Sequence, residues 1–459
     1  MRYTITFPEA LHRGLLQHLE DSENEAAAYL LCRQSASANE VRLLPRKLLP
    51  VAGADIISTS RTHMSIRSRS FLSAMKEADR LKCSFVFVHS HPGGPRKHSA
   101  QDDAEETMLF RTAYNRIKNS GTHGSLVVDG GGSIVGRVWL ANGTQVRVST
   151  IRVIGSRFRF YFEDLHEVPT DIFDRHIRGF GSEIQPMLSN LHIGVVGAGG
   201  TGSSVAEQLI RLGVGALSIV DGGRLEKSNV TRGYGSSFAD VGAEKPALLS
   251  RLAKQIGFGT RVHTFSKDCT FLSTASALRE CDIIFGCTDD QFGRSLLNLL
   301  AVYYLIPVFD MGVQIESKNG IIESIQGRVT TLLPGAACLS CRGRVAAEAV
   351  RREALQAINP AEAGRLEREG YVPELPGPAS SMIPFTTALA ATAVIEFLHR
   401  LTQLGGTDRK STEVLQLFDQ TRMRTNAVPP KGEGCFCDDE EKASRGDCAP
   451  LLDILWRPE

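Results

Sequence analysis

His192-Ile193-Gly194-Val195-Val196-Gly197-Ala198-Gly199-Gly200-Thr201-Gly202-Ser203 decides the fold of the larger part of this 459-residue chain. A short apolar run suited to a buried strand enters Gly197-x-Gly199-x-x-Gly202 and continues into a helix-forming segment. Glycines permit a tight turn and a close approach of phosphate to backbone, and a helix start favours negative charge. Asp221 closes the next strand-like run, residues 216–221, where it is placed for ribose hydroxyls. Outward from this turn, helices are expected at 203–212 and 246–256, and strands at 282–285 and 306–310. A strongly apolar helix is expected at 383–401. Alternation of this kind predicts a parallel sheet covered by helices, an α/β fold. Residues 345–380, charged and then rich in proline and glycine, read as a surface loop or a long crossover. Taken alone, the glycine turn predicts an NAD-dependent dehydrogenase.

The residues that follow argue against a dehydrogenase. They are Ser228-Asn229-Val230-Thr231-Arg232, Lys245-Pro246, and Cys287-Thr288-Asp289-Asp290 with Arg294. Arginine and lysine suit a triphosphate, and an aspartate can hold magnesium. In this order the set resembles the ThiF-like adenylyltransferases, the superfamily of ubiquitin-activating enzymes, over about residues 175–437. The resemblance implies a Rossmann-like domain whose Gly197, Gly199, Gly200 and Gly202 cradle ATP and whose Asp221 binds ribose. It implies that Asn229, Arg232 and Lys245 bind the triphosphate and Asp289 the magnesium, with Arg232, Lys245 and Asp289 acting in catalysis. The implied reaction joins a C-terminal glycine carboxylate to the ATP α-phosphate, giving an acyl-adenylate and pyrophosphate. The segment Arg175-His176-Ile177-Arg178 resembles one that reaches the partner subunit's ATP in the family, which implies a homodimer with Arg178 contributing. Two departures stand out. Gly223 replaces the second aspartate of Asp-x-Asp, and no cysteine lies between Cys341 and Cys435, where thioester-forming members often keep their nucleophile. Cys448, Cys287 and Cys269 remain as thiols, against the plainer readings of a loose terminus and core packing. The chain is therefore expected to stop at the adenylate or to pass it to a separate thiol or amine.

The N-terminal third carries a different chemistry. Helical spacing is expected over 11–19, buried strands over 27–32 and 83–88, and a helix over 99–119 entered through Ser99. Runs 125–129 and 135–140 flank three glycines and suggest a hairpin. Alternate side chains share one face of a strand, so His89 and His91 point the same way, and Ser99 and Asp102 share a face of a helix start. Two imidazoles and a carboxylate make a three-ligand zinc site with a fourth position for water. Glu25 is the candidate to accept that water's proton, and Ser99 to donate to the oxyanion. His-x-His alone is common, and Ser99-x-x-Asp102 is also a plain capping box. Taken together, Glu25, His89, His91, Ser99 and Asp102 resemble the JAB/MPN (JAMM) metallopeptidases over about residues 1–140. The resemblance implies hydrolysis of peptide or isopeptide bonds at the C-terminus of ubiquitin or a ubiquitin-like protein. Glu23 is a weaker candidate for the glutamate, and His98 and His123 read as surface residues.

Cys338-Leu339-Ser340-Cys341 and Cys435-Phe436-Cys437 can bring four thiolates around a structural zinc, a site that ThiF-like enzymes often have. The plainer alternative is two unrelated sets of reduced thiols. The other cysteines read as reduced core thiols of a cytoplasmic protein. The start, Met1-Arg2-Tyr3-Thr4-Ile5, lacks the apolar run of a secretory signal, and no apolar stretch is long enough to span a bilayer. A net charge of +1 gives no reason to expect nucleic acid or an anionic membrane as partner. The expected organisation is a zinc metallopeptidase domain over 1–150, a connector over 151–174, and an ATP-dependent adenylyltransferase domain over 175–459. The expected function is processing and activation of a ubiquitin-like protein in a bacterial conjugation-type pathway, perhaps one of antiviral defence, with a separate conjugating enzyme as further partner. The alternative is activation of a sulfur-carrier protein for thiocarboxylate-dependent cofactor biosynthesis.

Overall fold

Central strands buried on both faces organise the N-terminal part. In a computed structural model the chain is described at residues 1–20, 23–118, 121–165, 169, 171–368, 381–426, 428–454 and 456. It divides into two units, the first being Met1–Asp164 with Tyr303–Leu305 and Ala443–Asp447, the second the remainder. The first unit runs β1 (Arg2–Pro8), α1 (Glu9–Glu20), β2 (Ala27–Ala36), β3 (Glu40–Pro50), β4 (Ile56–Thr59), β5 (Met64–Ile66), α2 (Ser68–Arg80) and β6 (Ser84–His91). It continues through α3 (Ala100–Arg116), β7 (His123–Asp129), β8 (Ile134–Trp139), β9 (Gln145–Ile154) and β10 (Arg159–Phe162). The main sheet has the order β1-β3-β2-β6-β7-β8-β9-β10, and β1 also pairs with β9, which joins the ends of the order. Ala28, Leu30, Cys32, Val86 and Val88 pack on the α1 side with Leu15 and Leu19. Ala27, Tyr29, Leu31 and Phe85 pack on the other side with Met75 of α2 and Phe110 of α3. His89 and His91 continue the parity of Phe85, so they leave the strand on the face covered by α2 and α3.

Two expectations change here. The N-terminal unit reaches Asp164 rather than ending at 150, because β9 runs on to Ile154 and β10 pairs with it antiparallel. Residues 151–154 and 159–162 of the expected connector are therefore sheet. Its residues 166–168 and 170 lie outside the described residues. His123 is wholly buried, and its Nδ1 accepts from the Phe85 backbone N–H at 3.0 Å. His98 is half-buried, with Nε2 3.0 Å from Ser125 Oγ. Neither is a surface residue, and a strand start and a helix entry explain why: both segments are covered by their own neighbours.

The second unit runs α4 (Asp174–Phe180), α5 (Ile184–Asn190), β11 (His192–Val196), α6 (Gly200–Arg211), β12 (Ala216–Val220), α7 (Lys245–Ile256), β13 (Arg261–Phe265), α8 (Leu272–Leu278), β14 (Ile283–Gly286) and α9 (Gln291–Tyr303). Next come β15 (Val308–Lys318), β16 (Ile321–Leu332), α10 (Ala347–Ile358), α11 (Pro360–Arg368), α12 (Ile383–Thr402), β17 (Glu413–Leu417) and β18 (Arg422–Asn426). Its sheet has the order β13-β12-β11-β14-β15-β16-β17-β18. The first five strands are parallel, as expected. The last three extend the sheet antiparallel. The strand order reverses between β11 and β14, which opens a crevice at their carboxyl ends. Residues 347–368 form two helices rather than a loop, while 369–380 lie outside the described residues. Among the described residues no helix is long and apolar enough to cross a membrane.

Candidate functional site

β6 and the entry to α3 bring three ligand atoms to one point. His89 Nε2 lies 3.1 Å from His91 Nε2 and 3.2 Å from Asp102 Oδ1, and His91 Nε2 lies 3.7 Å from Asp102 Oδ2. A tetrahedral zinc with bonds of roughly 2.0–2.1 Å separates its ligand atoms by about 3.3 Å, so the donor set and the spacing fit the ion. Asp102 is fixed by a capping box: the Ser99 N–H donates to Oδ2 at 2.6 Å, and the Asp102 N–H donates to Ser99 Oγ at 3.2 Å. The Ser99 hydroxyl thus caps α3 as an acceptor and keeps its own proton to donate. Burial works against ionisation of Asp102, but the His89 ring and the Ser99 contacts hold its carboxyl well below the usual range.

Glu25 stands just before β2, and β2 pairs Ala27 with His89. That register carries Glu25 toward His91. Its backbone is pinned, with its N–H donating to Ser60 O at 2.8 Å and its carbonyl accepting from Thr59 Oγ1 at 2.8 Å. The side chain is only 8% exposed and lines the same cleft as the triad. Burial raises its pKa, against the pull of His89. A buried carboxyl near the metal ligands but outside their set is suited to carry a proton.

The cleft has a volume of about 710 Å³ and one apolar wall, built from Met64 and Ile66 of β5, Phe71 and Leu72 of α2, and Leu109 of α3. Sequence reading missed this wall. Its residues come from a three-residue strand and two helices, and they meet only through the tertiary fold.

The second cleft, about 630 Å³, lies at the carboxyl ends of β11, β12 and β14. Gly197, Gly199, Gly200, Asp221, Asn229, Arg232, Lys245 and Asp289 all line it. Gly197 has φ +94°, and a Cβ there would meet the Cys287 carbonyl at 2.7 Å. Gly202 serves packing: a Cβ would sit 1.7 Å from the Gly197 carbonyl oxygen. Gly202→Ala is expected to destabilise this unit by about 3 kcal/mol, the upper range for a clash with backbone, read as a lower urea midpoint. An unchanged midpoint would contradict this packing.

Asp221 is held by the turn it faces. Oδ2 accepts from the Ala198 N–H at 2.7 Å and Oδ1 from the Gly223 N–H at 2.8 Å. Lys245 Nζ lies 3.3 Å from Oδ1. A Cβ at Gly223 would stand 2.9 Å from Lys245 Nζ, so glycine at this departure from Asp-x-Asp lets the lysine come close. Arg232 donates to Ser228 O at 3.0 Å, and Asn229 Oδ1 accepts from the Glu226 N–H at 3.2 Å. Asp290 accepts from Thr288 Oγ1 and the Gly293 N–H at the start of α9, which leaves Asp289 as the exposed carboxylate of the pair. Arg294 also lines the cleft; it lies 3.3 Å from buried Asp310 and donates to Met311 O. Arg178 pairs with Asp174 at 2.9 Å. α10 adds Glu353 and Gln356 to the cleft wall, and Glu353 accepts from the Phe292 N–H at 2.8 Å.

The four paired cysteines converge. Cys338 Sγ lies 3.7 Å from Cys341 and 3.5 Å from Cys435, and Cys341 lies 3.6 Å from Cys437. Zinc–sulfur bonds of about 2.3 Å place thiolates about 3.8 Å apart, so these residues also fit the ion. Burial opposes the Cys341 thiolate, but the Gly432 N–H and the three neighbouring thiols favour it, and its pKa falls to about 7. Replacing Cys338 and Cys341 by serine is expected to remove one zinc per chain and lower the melting temperature, measured by metal analysis and calorimetry. Cys269 and Cys287 both line the second cleft, and burial pushes both thiols above their ordinary range.

Comparison with known proteins also finds two parts. Residues 173–437 match the ThiF family, and residues 8–130 match the prokaryotic homologues of the JAB domain. The SAMP-activating enzyme E1 of Haloferax volcanii is 28% identical over 173 residues, 37% of this chain and 61% of that protein. The adenylyltransferase and sulfurtransferase MOCS3-1 of Zea mays is 31% identical over 183 residues, 38% of this chain and 36% of that protein. The chain thus spans less than two thirds of the length of either relative. The crystal structure of E. coli MccB with ATP aligns at 16% identity and a TM-score of 0.44, covering 57% of this chain and 74% of that one.

Proposed function

Because the chain belongs to the ThiF family over residues 173–437 and carries a prokaryotic JAB domain over residues 8–130, we propose that it both cuts and activates the C-terminal tail of one ubiquitin-like protein. The observation that carries the reading is the triad of His89, His91 and Asp102 with Glu25 in one cleft, on the same polypeptide as a cleft lined by Asp221, Arg232, Lys245 and Asp289. A zinc ion held by the triad would lower the pKa of a water and polarise the scissile carbonyl. Glu25 accepts a proton at its carboxylate and returns it to the leaving amine. The Ser99 hydroxyl donates to the developing oxyanion.

In the second cleft, Asp221 holds the ribose hydroxyls, and Asn229, Arg232 and Lys245 hold the triphosphate. Asp289 would hold magnesium, which neutralises phosphate charge. The glycine carboxylate attacks the α-phosphorus, the bond to the bridging oxygen breaks, and pyrophosphate leaves. The product is an acyl-adenylate. With no cysteine between Cys341 and Cys435, and with Cys269 and Cys287 held as thiols by burial, the adenylate passes to a separate thiol or amine. The chain acts as a cytoplasmic homodimer in a bacterial conjugation-type pathway. The absent cysteine also favours a second reading, sulfur-carrier activation, which yields a thiocarboxylate and no protein conjugates. Two assays test the proposal: zinc-dependent cleavage of a tail-extended ubiquitin-like precursor, and ATP–pyrophosphate exchange with the trimmed form. No exchange with any such protein would sink the adenylation reading.

A further inference from the structure

His89 and Glu106 each carry a buried polar atom that the site described above leaves unused. His89 is 3% exposed; its Nε2 faces His91 and Asp102, and its Nδ1 is buried without a hydrogen-bond partner. Glu106 is 2% exposed and stands one helical turn beyond Asp102 on α3, so the two carboxylates leave the same face. Its Oε2 accepts from Ser125 Oγ at 2.7 Å, Arg137 Nε at 2.9 Å and Trp139 Nε1 at 2.9 Å. Arg137 Nη2 also lies 2.9 Å from that oxygen. The guanidinium fork closes on one oxygen instead of spanning both, and Oε1 is left buried without a partner.

A buried acceptor without a donor costs about 1–3 kcal/mol, and more when charged. Both orphaned atoms belong to residues that line one cleft. Nδ1 becomes a donor once Nε2 gives its lone pair to a metal, and a carboxylate oxygen can only accept. Metal-ligating histidines almost always donate their other ring N–H to such a group.

We propose that Glu106 is the positioning carboxylate of the metal centre, taking the Nδ1–H of His89 on Oε1 directly or through one water. The inference rests on the reading of the triad as a zinc site. The bond fixes the tautomer that turns the Nε2 lone pair to the ion and makes the ring a stronger ligand. Ser125, Arg137 and Trp139 fix the carboxylate through Oε2 and leave Oε1 for the histidine.

The test is zinc affinity of the full-length chain, by competition with a chromogenic chelator, with the four-thiolate site counted as a separate equivalent. Glu106→Gln keeps the size of the side chain, but its amide must turn oxygen to the three donors and NH2 to Nδ1–H. It is expected to weaken the other zinc about 10- to 100-fold. Glu77→Gln alters a carboxylate of the same unit that pairs with Lys47 and Arg80 and does not line the cleft, and it is expected to bind zinc as wild type does. Unchanged affinity in Glu106→Gln, or an equal loss in Glu77→Gln, would overturn the proposal. A wild-type chain that takes only the four-thiolate zinc would remove the metal-centre reading and this inference with it. Nitrogen NMR of zinc-loaded wild type gives an independent check. His89 should carry its proton on Nδ1, and a proton on Nε2 overturns the proposal even if Glu106→Gln does not fold.

Discussion

Glu25→Ala in the full-length chain is expected to lose about 100- to 10,000-fold in hydrolysis of a ubiquitin-like precursor, the range for removal of a general base. Burial raises the Glu25 pKa, which brings the carboxylate closer to the basicity a proton carrier needs near neutrality. In the proposed site His89, His91 and Asp102 would hold the metal, so the substitution leaves those donors in place. Zinc content should therefore stay at the wild-type value while turnover collapses. ATP–pyrophosphate exchange should be unchanged, since none of its residues lies in the first unit. Parallel loss of both activities would refute two separate sites. Loss of zinc along with turnover would move Glu25 from proton carrier to ligand.

Lys245→Ala is expected to show the reverse pattern, a fall of about 100- to 1,000-fold in ATP–pyrophosphate exchange with hydrolysis intact, as for loss of one preorganised charge stabiliser. Lys245 opens α7 and reaches across to Asp221 at 3.3 Å, where one ammonium can serve both the ribose-side carboxylate and a phosphate. Lys245→Arg keeps the charge, but a planar fork replaces a compact ammonium beside Gly223, where a Cβ would already stand 2.9 Å from Nζ. It should recover only part of the rate. Exchange at the wild-type rate in Lys245→Ala would remove this residue from the nucleotide site.

Both clefts were legible in sequence wherever chemistry fixes spacing. His89 and His91 share a face because strands alternate, Asp102 follows Ser99 because a helix entry needs a cap, and the glycine turn needs its positive φ at Gly197. The antiparallel half of the second sheet was not legible. β16 and β18 carry exposed and mixed residues that pattern alone cannot separate from loop. Residues 345–380 read as a surface loop or a long crossover because their charge, and the proline and glycine after it, masked the helical periodicity that α10 and α11 carry. Glu106 was missed for a different reason. Its value depends on Ser125, Arg137 and Trp139, which reach it from β7 and β8 through the fold rather than through any motif.

The four-cysteine cluster joins positions 97 apart in sequence, so the chain leaves Cys338 and Cys341 and returns to the same knot at Cys435 and Cys437. Between them, among the described residues, runs the helix that lends Glu353 and Gln356 to the wall of the second cleft, and the knot ties the two ends of this stretch together as a purse-string would. An ion at that knot would steady the activating half without touching its reactants. One nutrient would then limit both halves of the molecule. If both proposed sites hold zinc, starvation for it would empty His89, His91 and Asp102 and slacken the second unit at once, even with Asp221, Lys245 and Asp289 intact.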